Sequence, residues 1–239
     1  MIPQTIHYCW YGGKPMQSMH LKCIDSWKEH LPDFTFKKWD EANSPLDASP
    51  FVRDAYRLKR WAFVADYVRI HALLSEGGIY FDTDMLVLKS FDSLLEHQAF
   101  AGFEDGQNVN FAVAGSVPDH SFLHECLTCY DKTPFDSAAP PIIPRIISTI
   151  LRRHGMTDAA RQKVAGIDLY PPEYFYPWPF VGHKDHPDFW SFIQPESFAV
   201  HLWNHSWKSP LPFKKRIYRF IISRLPEGLV RFANRLKAS

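Results

Sequence analysis

Gly77-Gly78-Ile79-Tyr80-Phe81-Asp82-Thr83-Asp84-Met85-Leu86-Val87-Leu88 is a Gly-Gly break followed by an apolar, strand-like run with two aspartates in its middle. Residues two apart on a strand point the same way, so the run predicts both carboxylates on one side, roughly 6–7 Å apart along the strand. Two carboxylates so placed repel each other unless a proton or a cation lies between them. A hard divalent ion with oxygen ligands, Mg2+ or Mn2+, resolves that conflict and typically also binds a substrate diphosphate. The same three residues alone would describe a turn with solvated aspartates. The apolar surroundings argue against that plainer reading.

The residues before this run build a frame for it. Thr5 to Trp10 reads as a strand, broken by Gly12-Gly13. Met16, Met19, Cys23, Trp27 and Leu31 follow at helical spacing, and Phe34 to Trp39 alternates as a second strand. This strand–helix–strand opening is a βαβ unit and implies a parallel sheet. Ser49-Pro50 is a helix start, with Ser as the cap and Pro at the first helical position. A single stripe then runs through Ala55, Leu58, Trp61, Ala62, Ala65, Val68 and Ala72, and Gly77-Gly78 stops it. Asp66 and Arg69, three apart on that helix, share a face. They read either as a local ion pair or as a pair that meets a sugar hydroxyl and a phosphate.

Beyond the aspartates the sequence predicts strands near 99–103 and 109–115 and helices near 121–130 and 144–153. Residues 166–212 carry 8 of the 19 prolines and 4 of the 8 tryptophans, which predicts an ordered, aromatic loop region over a site. Cys126 and Cys129 have no second pair, and amphipathic helical spacing explains them better than zinc or redox chemistry. His183-Lys184-Asp185-His186, between Gly182 and Pro187, reads as a solvated turn rather than a metal site. The expected architecture is α/β.

Three segments taken together carry a resemblance. They are Ile6-His7-Tyr8-Cys9-Trp10-Tyr11-Gly12-Gly13, Trp61-Ala62-Phe63-Val64-Ala65-Asp66-Tyr67-Val68-Arg69, and Gly77 to Asp84. In this order and spacing the chain resembles the D-x-D sugar-transferase family. That family includes bacterial capsular-polysaccharide glycosyltransferases and initiating α-1,6-mannosyltransferases, with clostridial glucosylating toxins as distant relatives. The resemblance is dense over residues 1–105 and returns at His201-Leu202-Trp203-Asn204-His205-Ser206-Trp207.

The resemblance implies a GT-A-type fold, a Rossmann-like mixed sheet flanked by helices. It also implies a UDP- or GDP-hexose donor, a divalent metal, a saccharide acceptor and retention of anomeric configuration. By position, Trp10 would stack on the nucleobase. Asp66 and Arg69 would hold donor sugar and phosphate, and Tyr80 would line the donor pocket. Asn110 would face the acceptor, since it follows Gly102-Phe103-Glu104, where such enzymes place acceptor-side groups. Asp84 would bind Mn2+ or Mg2+ directly, with Asp82 contacting ribose, sugar or metal. Ser206 and Trp207 would close over the diphosphate, Trp207 donating its indole N–H to the leaving oxygen. His201 is the favoured third metal ligand, with Asn204 and His205 as alternatives. Metal, Arg69 and Trp207 would together stabilise the departing charge. The alternative to an enzyme is a non-catalytic sugar-nucleotide-binding scaffold of a polysaccharide-assembly complex. Loss of an aspartate or of Arg69 would have favoured it, and all are present.

Composition bounds these readings. The 239 residues hold 27 Lys+Arg against 26 Asp+Glu, a net charge of +1, which argues against a wholly basic nucleic-acid binder. Hydrophobic residues make up 46%, enough for a core, so a disordered chain is excluded. The opening Met1-Ile2-Pro3-Gln4-Thr5 has neither a basic nor an apolar signal region, and four scattered cysteines make no disulfide framework. The expected setting is therefore a reducing cytoplasm. From Phe213 onward eight basic residues face one acid, about +7, with Phe213, Ile217, Phe220, Ile221 and Leu225 at helical spacing. Residues 1–212 are thus expected to form the transferase domain and 213–239 a basic amphipathic helical tail. That tail either packs on the domain or lies on an anionic inner leaflet, where each basic residue would add about 1 kcal/mol. A lipid-linked acceptor would suit the second arrangement.

Overall fold

A computed structural model describes residues 1–180 and 188–203, which lie in one compact unit. The basic tail, the 212/213 boundary, the His183 turn, and Asn204, His205, Ser206 and Trp207 lie outside the described residues.

The opening is the βαβ unit that the spacing predicts. Strand β1 (Thr5–Cys9) runs parallel to β2 (Thr35–Trp39), with helix α1 (Ser18–His30) between them. The helical stripe, by contrast, is two helices, α2 (Pro50–Arg57) and α3 (Trp61–Glu76). Ser49 Oγ caps α2 by accepting from the Val52 amide. The chain then turns at Lys59, whose φ of 55° lies in the left-handed region, and periodicity alone does not reveal such a single-residue break. Strand β3 (Gly78–Phe81) follows directly. Gly78 is required at its start: φ is 98°, and a Cβ there would lie 2.6 Å from the Thr5 carbonyl of β1.

The run from Ile79 to Leu88 is not one strand. β3 ends at Phe81, Asp82-Thr83-Asp84 forms a tight turn, and β4 (Met85–Val87) belongs to another sheet. The period-two argument that aligned the two carboxylates therefore fails, and the turn brings them together instead. Strands β5 (Ala99–Phe103) and β6 (Val109–Ser116) come next, then α4 (Ser121–Lys132) and α5 (Ile143–Arg153). β7 (Gln162–Val164), β8 (Ile167–Tyr170), α6 (Pro172–Phe175) and β9 (Ala199–His201) complete the described elements. Cys126 and Cys129 fall on α4 as free thiols, the first buried, as amphipathic spacing requires.

The main sheet has the order β2-β1-β3-β6-β5-β8-β7. β1 is parallel to β3, β6 is antiparallel to both β3 and β5, and β5 is parallel to β8. β3 and β5 therefore run the same way and deliver their ends to the same edge. Every residue of β3, β5 and β6 is buried, as expected of strands covered on both faces. One apolar layer joins Tyr80, Phe103 and Phe111 to α2, α3, α4 and α5. The other joins Ile79, Phe81 and Phe100 to α1, β4 and α6. The Trp27 indole of α1 donates to the Met85 carbonyl at 2.7 Å and ties β4 to this second layer.

Strand β6 carries a bulge. Its pairing with β5 jumps from Ala101↔Ala114 to Gly102↔Asn110, so Phe111 to Val113 have no partner on β5. Within that stretch Ala112 and Val113 both pack in the second layer, while Phe111 and Ala114 pack in the first. Such insertions bend a strand and re-aim side chains beside functional sites.

Candidate active site

The Asp82-Thr83-Asp84 turn sits where three elements meet. The Asp82 amide donates to the Ala112 carbonyl on the bulge at 2.8 Å, and the Met85 amide donates to the Asp82 carbonyl at 3.0 Å. β4 pairs antiparallel with β9, setting Met85 opposite His201, and the Leu202 amide donates to the Asp84 carbonyl at 3.0 Å. This short ladder brings His201 to Asp84 across 117 residues of chain, with Nε2 3.0 Å from Asp84 Oδ1. Asp82, Asp84 and His201 each offer one ligand atom, and these atoms all lie within 4.8 Å of one another. His201 Nδ1 is buried with no hydrogen-bond partner among the described residues.

Behind the turn lies Arg69. Its Nη2 donates to Asp66 Oδ1 at 2.9 Å and pairs with Asp82 Oδ1 at 3.1 Å. Nη1 donates to the Phe111 carbonyl at 2.9 Å and to Asp82 Oδ2 at 3.4 Å, and Nε donates to the Ala65 carbonyl at 3.3 Å. The five N–H donors of the guanidinium are thereby committed, and its side chain is 4% exposed. The expectation that Arg69 grips the donor phosphate is corrected on this ground: it fixes Asp82 and the bulge from beneath. Tyr80 is corrected likewise. It lies under the Arg69 guanidinium, 4.6 Å from ring centroid to Cζ, and is 1% exposed. It reaches the site only through its hydroxyl, 3.1 Å from Asp82 Oδ1.

One guanidinium cannot neutralise two carboxylates, one buried and one half-buried. Burial pushes Asp66 up to about 7, against the pull of Arg69 and with the push of Asp82. Burial also raises Asp82; Arg69 opposes this and Asp84 adds to it. Burial pulls His201 down, but the carboxylates of Asp84, then Asp82 and Glu104, outweigh it and leave the imidazole raised. The cluster therefore holds an excess of negative charge that favours a cation. Two carboxylates and an imidazole form a hard, mixed O/N donor set that suits Mn2+ or Mg2+. The unpartnered His201 nitrogen and the charge excess both fit such an ion.

Trp10 stands at the end of β1, half-buried, its indole donating to the Lys14 carbonyl at 2.7 Å. Its ring meets His20 edge-on at 4.9 Å, and the Asp84 carboxylate acts electrostatically on His20. The sequence reading thus brings together Asp66, Arg69, Tyr80, Asp82, Asp84 and His201, with Trp10 at their flank. It named Glu104 only within the acceptor-side run Gly102-Phe103-Glu104, and it missed Tyr176 and His20. Asn110, expected to face an acceptor, is 7% exposed. Its Nδ2 donates to Glu104 Oε2 at 2.7 Å and its Oδ1 accepts from the Ala112 amide at 2.8 Å. Only the position of Glu104 at a strand end could have signalled it.

The shift of Asp66 has a measurable consequence. Its folded pKa lies above the ordinary value of 3.8, so the folded state holds the proton longer than the unfolded state. The stability of the wild type relative to Asp66→Asn should fall as pH rises from about 4 to about 7, by roughly a few kcal/mol, and level off above. Urea unfolding of both proteins across this range checks it, and a pH-independent difference would contradict it.

With this geometry in place, similarity to known proteins is informative. Residues 17–101 match the family model described as the glycosyltransferase sugar-binding region containing the DXD motif. Residues 116–224 match the alpha 1,4-glycosyltransferase conserved region. Human alpha-1,4-N-acetylglucosaminyltransferase is 23% identical over 155 residues, 62% of this chain and 44% of that protein. Rat lactosylceramide 4-alpha-galactosyltransferase is 27% identical over 150 residues, 59% of this chain and 40% of that protein. The matches thus span about two-fifths of the length of these relatives. Among solved structures, the apo-form glycosyltransferase GlyE of Streptococcus pneumoniae TIGR4 aligns with a TM-score of 0.51 at 12% identity, covering 100% of this chain and 64% of that one. The PaToxG glycosyltransferase aligns with a TM-score of 0.50 at 17% identity, covering 64% and 68%. Sequence regions and sheet agree: residues 17–101 and 116–224 are similar to glycosyltransferase regions, and the sheet has the GT-A fold of the solved glycosyltransferases.

Proposed function

We propose that this protein transfers a hexose from a nucleoside-diphosphate sugar to a saccharide acceptor, with Mn2+ or Mg2+ held by Asp82, Asp84 and His201. The observation that carries the reading is the Asp82–Asp84–His201 cluster, with ligand atoms within 4.8 Å and more negative charge than Arg69 can offset. When bound, the divalent ion supplies positive charge against the leaving diphosphate. Asp82 and Asp84 hold that ion, and Arg69, saturated by carboxylates and carbonyls, keeps Asp82 in place. Asp66 shares the guanidinium and offers its remaining oxygen to a sugar hydroxyl. Trp10 stacks on the nucleobase, and Ser206 and Trp207 approach the diphosphate.

The relatives' printed names point to galactose or N-acetylglucosamine as the sugar and to an α-1,4 bond. An α product from an α-linked nucleotide sugar is retention, which agrees with the family resemblance. The setting we propose is surface or capsular polysaccharide synthesis, with the basic tail at the inner face of the cytoplasmic membrane and a lipid-linked acceptor. The charge of about +7 from Phe213 onward supports that placement. Flotation with anionic liposomes should recover the full chain and not a form ending at Pro212. Equal recovery of both would remove the membrane role.

The transferase reading is tested by thermal unfolding with UDP or GDP, each with and without Mn2+. At about 100 times its dissociation constant a ligand adds ~2.7 kcal/mol. One nucleotide should stabilise the wild type only with Mn2+, and Asp84→Ala should abolish the shift. A folded protein that responds to neither nucleotide would overturn the reading.

A further inference from the structure

The turn between α2 and α3 breaks three local rules at once. Two backbone bonds close it: the Lys59 amide donates to the Tyr56 carbonyl at 2.9 Å, and the Arg60 amide donates to the Ala55 carbonyl at 2.9 Å. This is a helix end of the Schellman type. In such ends a left-handed residue, usually glycine, follows the helix, and the next residue packs an apolar side chain back on it. Here the left-handed position, with φ of 55°, holds Lys59, and the next position holds Arg60. Leu58, just before them, is 53% exposed, although leucine is among the residues most often buried.

The charge is as one-sided as the geometry. Residues 53–60 carry Arg53, Arg57, Lys59 and Arg60 against one acid, Asp54. Asp54 pairs with Arg57 at 3.5 Å, and the Arg60 guanidinium lies over the Phe63 ring, 5.5 Å from its centroid. Arg53 and Lys59 have no acidic partner among the described residues, and Arg53, Arg57 and Lys59 are all exposed. A helix C-terminus favours cations, which accounts for Arg57 in the last turn. It accounts neither for a lysine in a glycine's conformation nor for a leucine held out in water. Local rules broken without a gain in stability point to function.

The turn stands at the edge of the sheet that carries the site. α3 starts at Trp61, whose indole nitrogen lies 2.8 Å from where a Gly12 Cβ would stand. Gly12 follows the end of β1, and β1 runs parallel to β3, which ends at the Asp82 turn. An exposed apolar side chain among basic ones suits a surface of anionic lipid. The leucine enters the interface, and the cationic heads stay among the headgroups. A soluble polyanion would use the charges and leave the leucine without a role.

We propose that the α2–α3 turn docks on an anionic membrane surface, with Leu58 inserted and Arg53, Arg57 and Lys59 against lipid phosphates. The docking brings the sheet edge that carries Asp82 close to the bilayer. This deepens the membrane placement proposed above and is independent of the metal site. One such patch is a weak anchor by itself and stable attachment takes two signals, so the turn acts alongside the basic tail.

The test measures cosedimentation of the full chain with vesicles of phosphatidylcholine, with and without phosphatidylglycerol. Each basic residue at the surface is worth roughly 5-fold in affinity, so the triple variant Arg53→Gln, Arg57→Gln, Lys59→Gly should bind the anionic vesicles roughly 10²-fold more weakly. Leu58→Ser should weaken binding roughly 10-fold. Lys59→Gly alone should melt no lower than the wild type, because glycine fits the left-handed position, and yet bind more weakly, which separates docking from folding. The Mn2+-dependent nucleotide shift should be unchanged in every variant, which keeps the transferase reading separate. Wild-type affinity in the triple variant would overturn the proposal and leave attachment to the tail. Wild-type affinity in Leu58→Ser would overturn it by showing a site for a polyanion. A wild type that binds neither vesicle would overturn the membrane placement as a whole.

Discussion

A single guanidinium shared by two carboxylates, Asp66 buried and Asp82 half-buried, governs this structure. Arg69 reaches Asp66 on its own helix and Asp82 at the end of the neighbouring strand, and spends its remaining donors on the Ala65 and Phe111 carbonyls. Helix α3, strand β3 and the β6 bulge are thereby locked at one point. The arrangement is also under-compensated, because one positive charge meets two negative ones in a site largely closed to water. Removing a partner from such a network is costly, since it leaves a buried charge alone. A fold organised only for stability would have little reason to retain it. A cation completes the balance, and the protonation of Asp66 is what partly replaces that cation when none is bound.

The position of this network on the sheet explains the rest of the site. β3 and β5 run the same way and end at the same edge, so Asp82 and Glu104 emerge on one side of the molecule. The bulge lies between them on β6. It opens carbonyls and amides that a regular ladder would have consumed, and Arg69, Asn110 and Tyr176 take them up. The same groups that repair the sheet thus hold the carboxylates. The β4–β9 ladder adds His201 from the far end of the described chain, and its imidazole is trapped between Asp84 and the Trp203 ring, 4.0 Å away.

The sequence made much of this legible, and its failures have physical causes. Alternation locates β1 and the edge strand β2, and short apolar runs locate β5 and β6, which are buried throughout. The D-x-D, Asp66 and Arg69 were visible because the chemistry needs those residue types at those spacings. The strand parity assigned to Asp82 and Asp84 was wrong, because a three-residue turn leaves the same apolar flanks as a continuous strand. The break at Lys59 was missed because one left-handed residue does not disturb the apolar stripe. Arg69 was given a phosphate because its donor saturation depends on a bulge that no pattern encodes. Glu104 was named only as part of an acceptor-side run, because its hydrogen bond to Asn110 depends on that same bulge. Asn110 itself was placed beside the acceptor but holds Glu104 instead. His201 was singled out by resemblance, and the β4–β9 ladder supplies the contact that spacing could not.

The central claim is that Asp82, Asp84 and His201 form a divalent-ion site. Electron spin-echo spectroscopy of the Mn2+-loaded protein tests it most directly, because a coordinated imidazole nitrogen modulates the echo and a water or carboxylate oxygen does not. The wild type should show one nitrogen coupling to Mn2+, and His201→Gln should lose it while remaining folded. A wild-type signal without nitrogen coupling, or a coupling that survives in His201→Gln, would contradict the account.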